Sequence, residues 1–359
     1  DLSFVKKNSD TDEALAYIPF RITNNTTGET HYILTGADGT YTSATGKTTN
    51  TNANDAVLSQ YGDKDIIPQS VVNSLAKDAG LWFGMGSEGT MTAANDSYGS
   101  FVYGTYTITE LKTEATRSMK MYTNTFTIDT DGKVLDLGTV DNIPMSIRTT
   151  LVDVNEEHFT EVASSITLTD HVAYKNLDTD KTYTLTGTLY IKDVEALTEL
   201  MTQTVDFTPA EKNGTQDVVF TFDASDLAGK SVVAFEELSV NGEFCAEHKD
   251  KDDENQTVVF PGLKTTARDS ETDDHVSNAD DSITIIDTVE YSGLHVGNEY
   301  TITGTLMDQE RGKAVLDDDG NEITASKVIT AAGSSGSVEI EFQFAGVSLA
   351  GKTIVAFEN

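Results

Sequence analysis

The sequence predicts an all-β chain of three β-sandwich domains in tandem, with one short helix in an insertion of the first. Two observations carry this. Thr, Val, Ile and Tyr recur in short alternating runs broken by Gly, Asn and Asp, and the 359 residues hold only 5 prolines, the pattern of antiparallel sandwiches. The C-terminal part also repeats itself. YTLTGTL at 183–189 returns as YTITGTL at 300–306, and LAGKSVVAFEE at 227–237 as LAGKTIVAFEN at 349–359. TDHVAYKNL around Asp170 returns as IDTVEYSGL around Asp287, and Thr149-Thr150 as Thr265-Thr266. Four blocks in one order, about 117–122 residues apart, mean tandem domains and not a solenoid of short units. The length has room for about three ordinary domains.

The first unit is 1–144. Alternation predicts strands over Leu2–Lys6, Phe20–Asn24, His31–Thr35, Gly104–Leu111, Thr125–Asp129 and Val134–Thr139, with DGT at 38–40 and DTDGK at 129–133 as turns. Residues 47–100, roughly, differ in character: they are rich in Asn, Thr, Asp, Ser and Gly, and a short helix is predicted over Ser70–Ala79. An insertion this long is either functional or an embellished loop. It holds the single tryptophan, in GLWFGMG; Trp82 and Phe83 read either as a ligand platform or as buried anchors of the insertion. The second unit spans 145–262 and the third 263–359, each alternating through Ser165–Leu168, Tyr183–Tyr190 and Val218–Phe222 or their counterparts. No Gly- or Pro-rich linker separates the units, which predicts short, semi-rigid joints. The second unit continues past VAFE with SVNGEFCAEHKDKDDENQTVVF, whereas the third stops at Asn359. The third copy is therefore expected to lack one terminal strand.

Composition removes several function classes. A net charge of −35, from 59 acidic and 24 basic residues, repels nucleic acid and anionic membranes and keeps a surface solvated. With one cysteine, Cys245, there is no intrachain disulfide. No apolar run is long enough to cross a membrane and no signal peptide is seen, so a soluble, monomeric fragment or mature ectodomain is expected. There is no nucleophile elbow, HExxH, cysteine pair or phosphate loop for a conventional hydrolase. No metal and no cofactor is expected: DDDGNE at 317–322 lacks the oxygen-ligand spacing of a twelve-residue calcium loop.

The repeated blocks resemble those of Gram-positive surface adhesins and pilins, and the repeat itself resembles the VaFE, or T-Q ester-bond, domain. The matching residues are Thr149-Thr150 and Thr265-Thr266, Asp170 and Asp287 in D-x-V-x-Y, Glu236 and Glu358 in VAFE, and HKDKDDENQTV at 248–258. The resemblance covers 145–359. It implies Ig-like sandwiches in an elongated array, in which a first-strand threonine condenses with a last-strand glutamine into an internal ester. The first 144 residues resemble a Cna-B-type, prealbumin-like domain through FVKKNSDTDEALAYIPF at 4–20, YGTYTITEL at 103–111 and TVDNIP at 139–144. That resemblance implies a lysine–asparagine isopeptide bond assisted by a glutamate. The long insertion, and the lack of the usual Gly after Leu15-Ala16, depart from the pattern.

Strand parity then picks residues within these motifs. Leu2, Phe4 and Lys6 share one face and Lys7 the other, so Lys6 is the candidate nucleophile. Asn142 is the candidate carboxamide, with Asp141 the alternative. Glu110 shares a face with Tyr106 and Ile108, where a protonated carboxyl can relay a proton. Lys6 and Glu110 also read as an ordinary ion pair near a strand end; the resemblance favours the isopeptide. In the second unit Ile147, Thr149 and Leu151 lie on one face, which puts Thr149 inward and Thr150 outward. Gln256 alternates with Val258 and Phe260 and also faces a core. A threonine hydroxyl needs a base, and His248 and Asp170 are the candidates for that base and its orienting partner. Glu236, at the end of an apolar strand, is the candidate acid. His248 alone reads better as a solvated residue of an acidic loop; its place eight before Gln256 matches the family, and the resemblance favours the base. In the third unit Leu263, Thr265 and Ala267 share a face. Thr265, Asp287 and Glu358 form a set without a glutamine, so it is expected not to close its own ester.

These features predict a structural, non-enzymatic stalk segment of a cell-wall-anchored surface adhesin or pilin, outside a bacterial cell. Its partners are neighbouring pilin or adhesin domains. The alternative is a host-ligand-binding domain that uses the 47–100 insertion.

Overall fold

Alternating strands leave one apolar face each, and among the described residues these faces close on one another as six sheets grouped around separate cores. The computed structural model describes residues 1–44, 50–84, 100–192 and 196–359. In the first unit Leu2–Asn8 pairs antiparallel with Thr40–Thr42 and parallel with Leu135–Pro144, which also pairs with Met119–Lys120. The second sheet runs in the order Thr30–Leu34, Pro19–Asn24, Gly104–Glu110, Thr123–Ile128. Leu2, Phe4 and Val140 from one sheet share a buried cluster with Phe20, Ile22, Tyr106 and Ile108 from the other.

The predicted strands form with small end shifts, except the last. Val134–Thr139 runs on as Leu135–Pro144 because its backbone keeps pairing with Leu2–Asn8 as far as Asn142. The extension was hidden because its polarity is inverted: Asn142 is fully buried while Ile143 is 39% exposed. The helix predicted over Ser70–Ala79 spans only Gln69–Ser74, after Pro68, and Leu75 is already extended. Val71 and Val72 are β-branched and weak helix formers. A second short helix, Asp55–Leu58, was not predicted. Leu58, Ile67, Val72 and Leu75 pack with Tyr32, Leu34 and Leu111 into a small core of their own. Part of the expected 47–100 insertion lies outside the described residues.

In the second unit one sheet has the order Gly214–Phe222, Ile166–Lys175, Ser146–Val152. The other has Leu197–Phe207, Tyr183–Lys192 and Ser231–Val240. The far side of Ser231–Val240 is covered by two strands in turn, Glu243–His248 and Thr257–Val259. The acidic stretch 249–256 loops out between them. Leu168, Val172 and Phe220 of the first sheet meet Leu185, Leu189 and Leu238 of the second in one core. The third unit repeats this with Gly262–Asp269, Ile283–Ser292 and Gly336–Phe344 in one sheet. Glu299–Asp308 pairs with Thr324–Thr330 and Ile354–Glu358 in the other. One parity reading fails to give burial there: Leu263 is 41% exposed, since it sits at the start of an edge strand opposite Tyr291 and outside the cluster.

Candidate cross-linking sites

Three polar side chains meet where the first unit should be driest. Lys6 lies opposite Val140 on the parallel pair, two residues from Asn142 on the same inward face. Its Nζ donates to Asn142 Oδ1 at 2.5 Å and lies 2.9 Å from Glu110 Oε2. Asn142 Nδ2 in turn donates to Glu110 Oε1 at 2.6 Å. Glu110 comes from the facing sheet, so the triangle bridges the sandwich. Lys6 and Asn142 are 0% exposed and Glu110 2%. Burial pushes the Lys6 ammonium pKa down against the pull of Glu110, and pushes the Glu110 carboxyl up against the pull of Lys6. Both shifts favour the neutral amine beside a neutral acid, the less costly pair in an apolar core. The alternatives stand apart: Lys7 pairs with Asp12 at 2.9 Å near the surface, and Asp141 is exposed.

The second unit gathers its candidates from both sheets. Thr149, paired opposite Val172, is 4% exposed, and Thr150 is half-buried. Thr149 Oγ1 lies 3.3 Å from His248 Nδ1. His248 ends its strand directly opposite Glu236. Burial, with Arg148 nearby, lowers its pKa despite Asp253 and Asp250, so the neutral imidazole persists at neutral pH. Gln256 is fully buried in a 3₁₀ turn that packs on the Thr149 strand. Its amide nitrogen donates to Ala234 O at 2.8 Å and His248 O at 3.2 Å, and its oxygen accepts from the Asp250 N–H at 3.3 Å.

Behind Thr149, Asp170 and Glu236 form a carboxyl pair, both 0% exposed. With both ionised, all four oxygens lack a donor. A proton on Glu236 resolves this: burial, then the hydrogen bond and charge of Asp170, push Glu236 up to about 10. Burial raises Asp170 to about 6, against the hydrogen bond from a protonated Glu236 and the charge of His171. Asp170 was expected to orient His248; the carboxylate at the far nitrogen is instead Asp253, 3.5 Å away. Strand register puts Asp170 opposite Leu151, and its side chain meets Glu236 of the other sheet.

Sequence reasoning missed Asp253, the Asp250 amide and Gly187. Asp253 carried a signal, since it stands three before Gln256 and caps the turn through Asn255 N at 2.9 Å. In the third unit Asp287 is fully buried, while Thr265 and Glu358 are half-buried. Burial and then Asp287 push Glu358 up to about 8, against Thr265. Thr265 lines an open groove of about 460 Å³ with Asp269, His275 and Ile354. Trp82 and Phe83 are 4% and 5% exposed, and Phe83 packs on Phe101, Tyr106 and His31. Among the described residues no group of three or more His, Cys, Asp or Glu is arranged to hold a metal, and no helix is long and apolar enough to cross a membrane.

A family model described as "T-Q ester bond containing domain" matches residues 145–260 and again 261–359. No curated protein matches. Among solved structures, one similar chain is a Mobiluncus mulieris adhesin described as containing intramolecular disulfide, isopeptide and ester bond cross-links. It is 15% identical, covering 60% of this chain and 80% of that one, with a TM-score of 0.31. The full-length major pilin SpaD of Corynebacterium diphtheriae is 10% identical over 100% of this chain and 86% of its own, with a TM-score of 0.36. The RrgB pilus protein of Streptococcus pneumoniae is 10% identical over 96% and 61%, with a TM-score of 0.32. At these values the structural likenesses carry no functional weight.

Proposed function

The chain belongs to the T-Q ester bond containing domain family, and from that premise we propose that it is a structural stalk segment of a Gram-positive surface adhesin or pilin, held by self-formed cross-links. The units are taken as 1–144, of Cna-B type, 145–262 and 263–359. The observation that carries the reading is a threonine hydroxyl 3.3 Å from a neutral histidine, beside a fully buried glutamine. Thr149 Oγ1 attacks Gln256 Cδ while His248 Nδ1 takes the hydroxyl proton. Charge gathering on the amide oxygen faces the Asp250 N–H. The C–N bond then breaks, the nitrogen takes the proton from His248 and leaves as ammonia, and an ester joins the two side chains. Asp253 faces the imidazole from its other side, and the Asp170–Glu236 pair lies buried behind Thr149.

In the first unit Lys6 passes a proton to Glu110, and its neutral amine attacks Asn142 Cγ. Glu110 protonates the departing nitrogen and recovers a proton from Nζ, so ammonia leaves, an amide forms and Glu110 ends protonated. Each reaction is a single turnover on the chain itself, so the protein is not an enzyme. Each bond closes a loop of more than 100 residues, which restricts the unfolded chain by roughly 4–5 kcal/mol on the chain-entropy argument. Force entering at a first strand and leaving at a last one is then carried covalently and not by the hydrogen-bonded ladder. Strong acidity, tandem units and the absence of any intrachain disulfide suit an exposed extracellular shaft whose partners are neighbouring modules of the same assembly.

Intact-mass measurement tests both bonds. The chain is expected two ammonias light; Thr149→Ala or Gln256→Ala restores one, and Asn142→Ala restores the other. A chain of full sequence mass overturns both.

A further inference from the structure

Gly187 sits in the interior of Tyr183–Lys192, opposite Glu236. Glycine there weakens a strand, and turn geometry does not call for it, because Gly187 is outside the left-handed region. What calls for it is close approach. A Cβ at this position would lie 2.5 Å from Glu236 Oε1, 2.7 Å from Oε2 and 2.8 Å from Phe220 Cζ. The same residue recurs in the second copy of the T-G-T-L block. Gly304 pairs with Glu358, and a Cβ there would lie 2.6 Å from Phe342 Cζ, 2.7 Å from Ile340 Cδ1 and 3.3 Å from Glu358 Oε1.

We propose that Gly187 is a positioning residue for ester formation: its bare backbone is the seat on which the Glu236 carboxyl lies, within reach of Asp170 and so of the Thr149 hydroxyl. This rests on the ester reading above. The seat explains how a glutamate at a fully buried, inward strand position is accommodated. The side chain folds onto its cross-strand neighbour and takes the volume that a side chain at 187 would fill. Asp170, across the sandwich, is then its polar contact, and a methyl group at 187 drives the carboxyl away from it. A misplacement of about 1 Å can cost on the order of 100-fold in rate.

The test follows the Thr149–Gln256 cross-linked peptide in digests quenched at intervals after cell-free synthesis of the full chain. Gly187→Ala is expected to slow its appearance about 10- to 100-fold. Adding Glu236→Asp, which withdraws the carboxyl by one methylene, is expected to recover part of the rate. Adding Phe220→Leu, which relieves only the aromatic contact, is not. A wild-type chain that never forms the peptide overturns the ester reading itself. If the wild type cross-links and Gly187→Ala matches it, the seat alone is overturned. Rescue by Phe220→Leu and not by Glu236→Asp also overturns the seat, since the glycine then serves only core packing.

Discussion

The two copies of the repeated cassette carry the same threonine, aspartate, glutamate and glycine but keep them unequally dry. Asp170 and Asp287 are equally buried, whereas Thr149 and Glu236 are buried and Thr265 and Glu358 only half so. Glu236 is accordingly driven up to about 10 and Glu358 to about 8. The difference follows the cover. Glu243–His248 and Thr257–Val259 both lie along Ser231–Val240, while among the described residues Ile354–Glu358 pairs only with Glu299–Asp308. Residue identity sets up the site; the covering strand makes its acid strongly resistant to ionisation.

The sharpest way to break the comparison is to remove the bond proposed for Thr149 and Gln256. Gln256→Ala is expected to cost residues 145–260 roughly 4–5 kcal/mol, seen in calorimetry as a downward shift of one transition, with the others unmoved. His248→Ala removes the base, and ester formation should slow by about 10²- to 10⁴-fold. In the unaltered chain the rate should stay level at neutral pH and fall only below His248's lowered pKa, because protonation then removes the base.

A pH-dependent effect separates the two acids. A carboxyl whose folded pKa is raised binds a proton that the unfolded chain has released, so its contribution is complete below the unfolded value of 4.5 and is lost as pH rises toward the folded value. In the Gln256→Ala background, Glu236→Gln should remove a negative slope of stability against pH on the order of 1 kcal/mol per unit. That slope should extend to about 10 for Glu236, and the corresponding slope for Glu358 should end near 8. Urea melts across this range that show equal windows would erase the distinction.

The smallest expected effect lies outside both copies. His31 Nδ1 is 2.7 Å from Asp55 Oδ2 and its Nε2 is 2.9 Å from Glu29 Oε1, while Glu29 accepts the Gly84 N–H. Burial pulls the His31 pKa down, but the two carboxylates outweigh it and raise it. Its contribution is thus whole below pH 6.5 and lost as pH rises through the raised value. Hydrogen-exchange protection at Gly84 should decline over that window, and His31→Ala should abolish the pH dependence.

Much of the first site was legible because strand parity is local: Leu2, Phe4 and Lys6 alternate, which favours Lys6 over Lys7, and so do Tyr106, Ile108 and Glu110. Asn142 was less so, since its strand buries an amide and exposes Ile143. That inversion makes sense only once Lys6 and Glu110 are seen to need the amide between them. The helix prediction ran too long: the chain is helical over Gln69–Ser74, Val71 and Val72 included, and turns extended at Leu75.

By itself the sequence determined the all-β class and the doubled cassette, and it offered Lys6 and Thr149 as the inward candidates, because the period of two along a strand needs no partner. Only the tertiary structure decided which groups meet. Asp170 was read as a companion of His248, yet sheet-on-sheet packing joins it to Glu236, and Asp253 reaches the histidine from a loop. Those contacts depend on which faces stack and how far a loop bulges, and no local periodicity encodes either. Gly187 of the repeated T-G-T-L block belongs to the same class: in sequence it is a blemish in a strand, and in space a Cβ there would meet the buried Glu236 carboxyl.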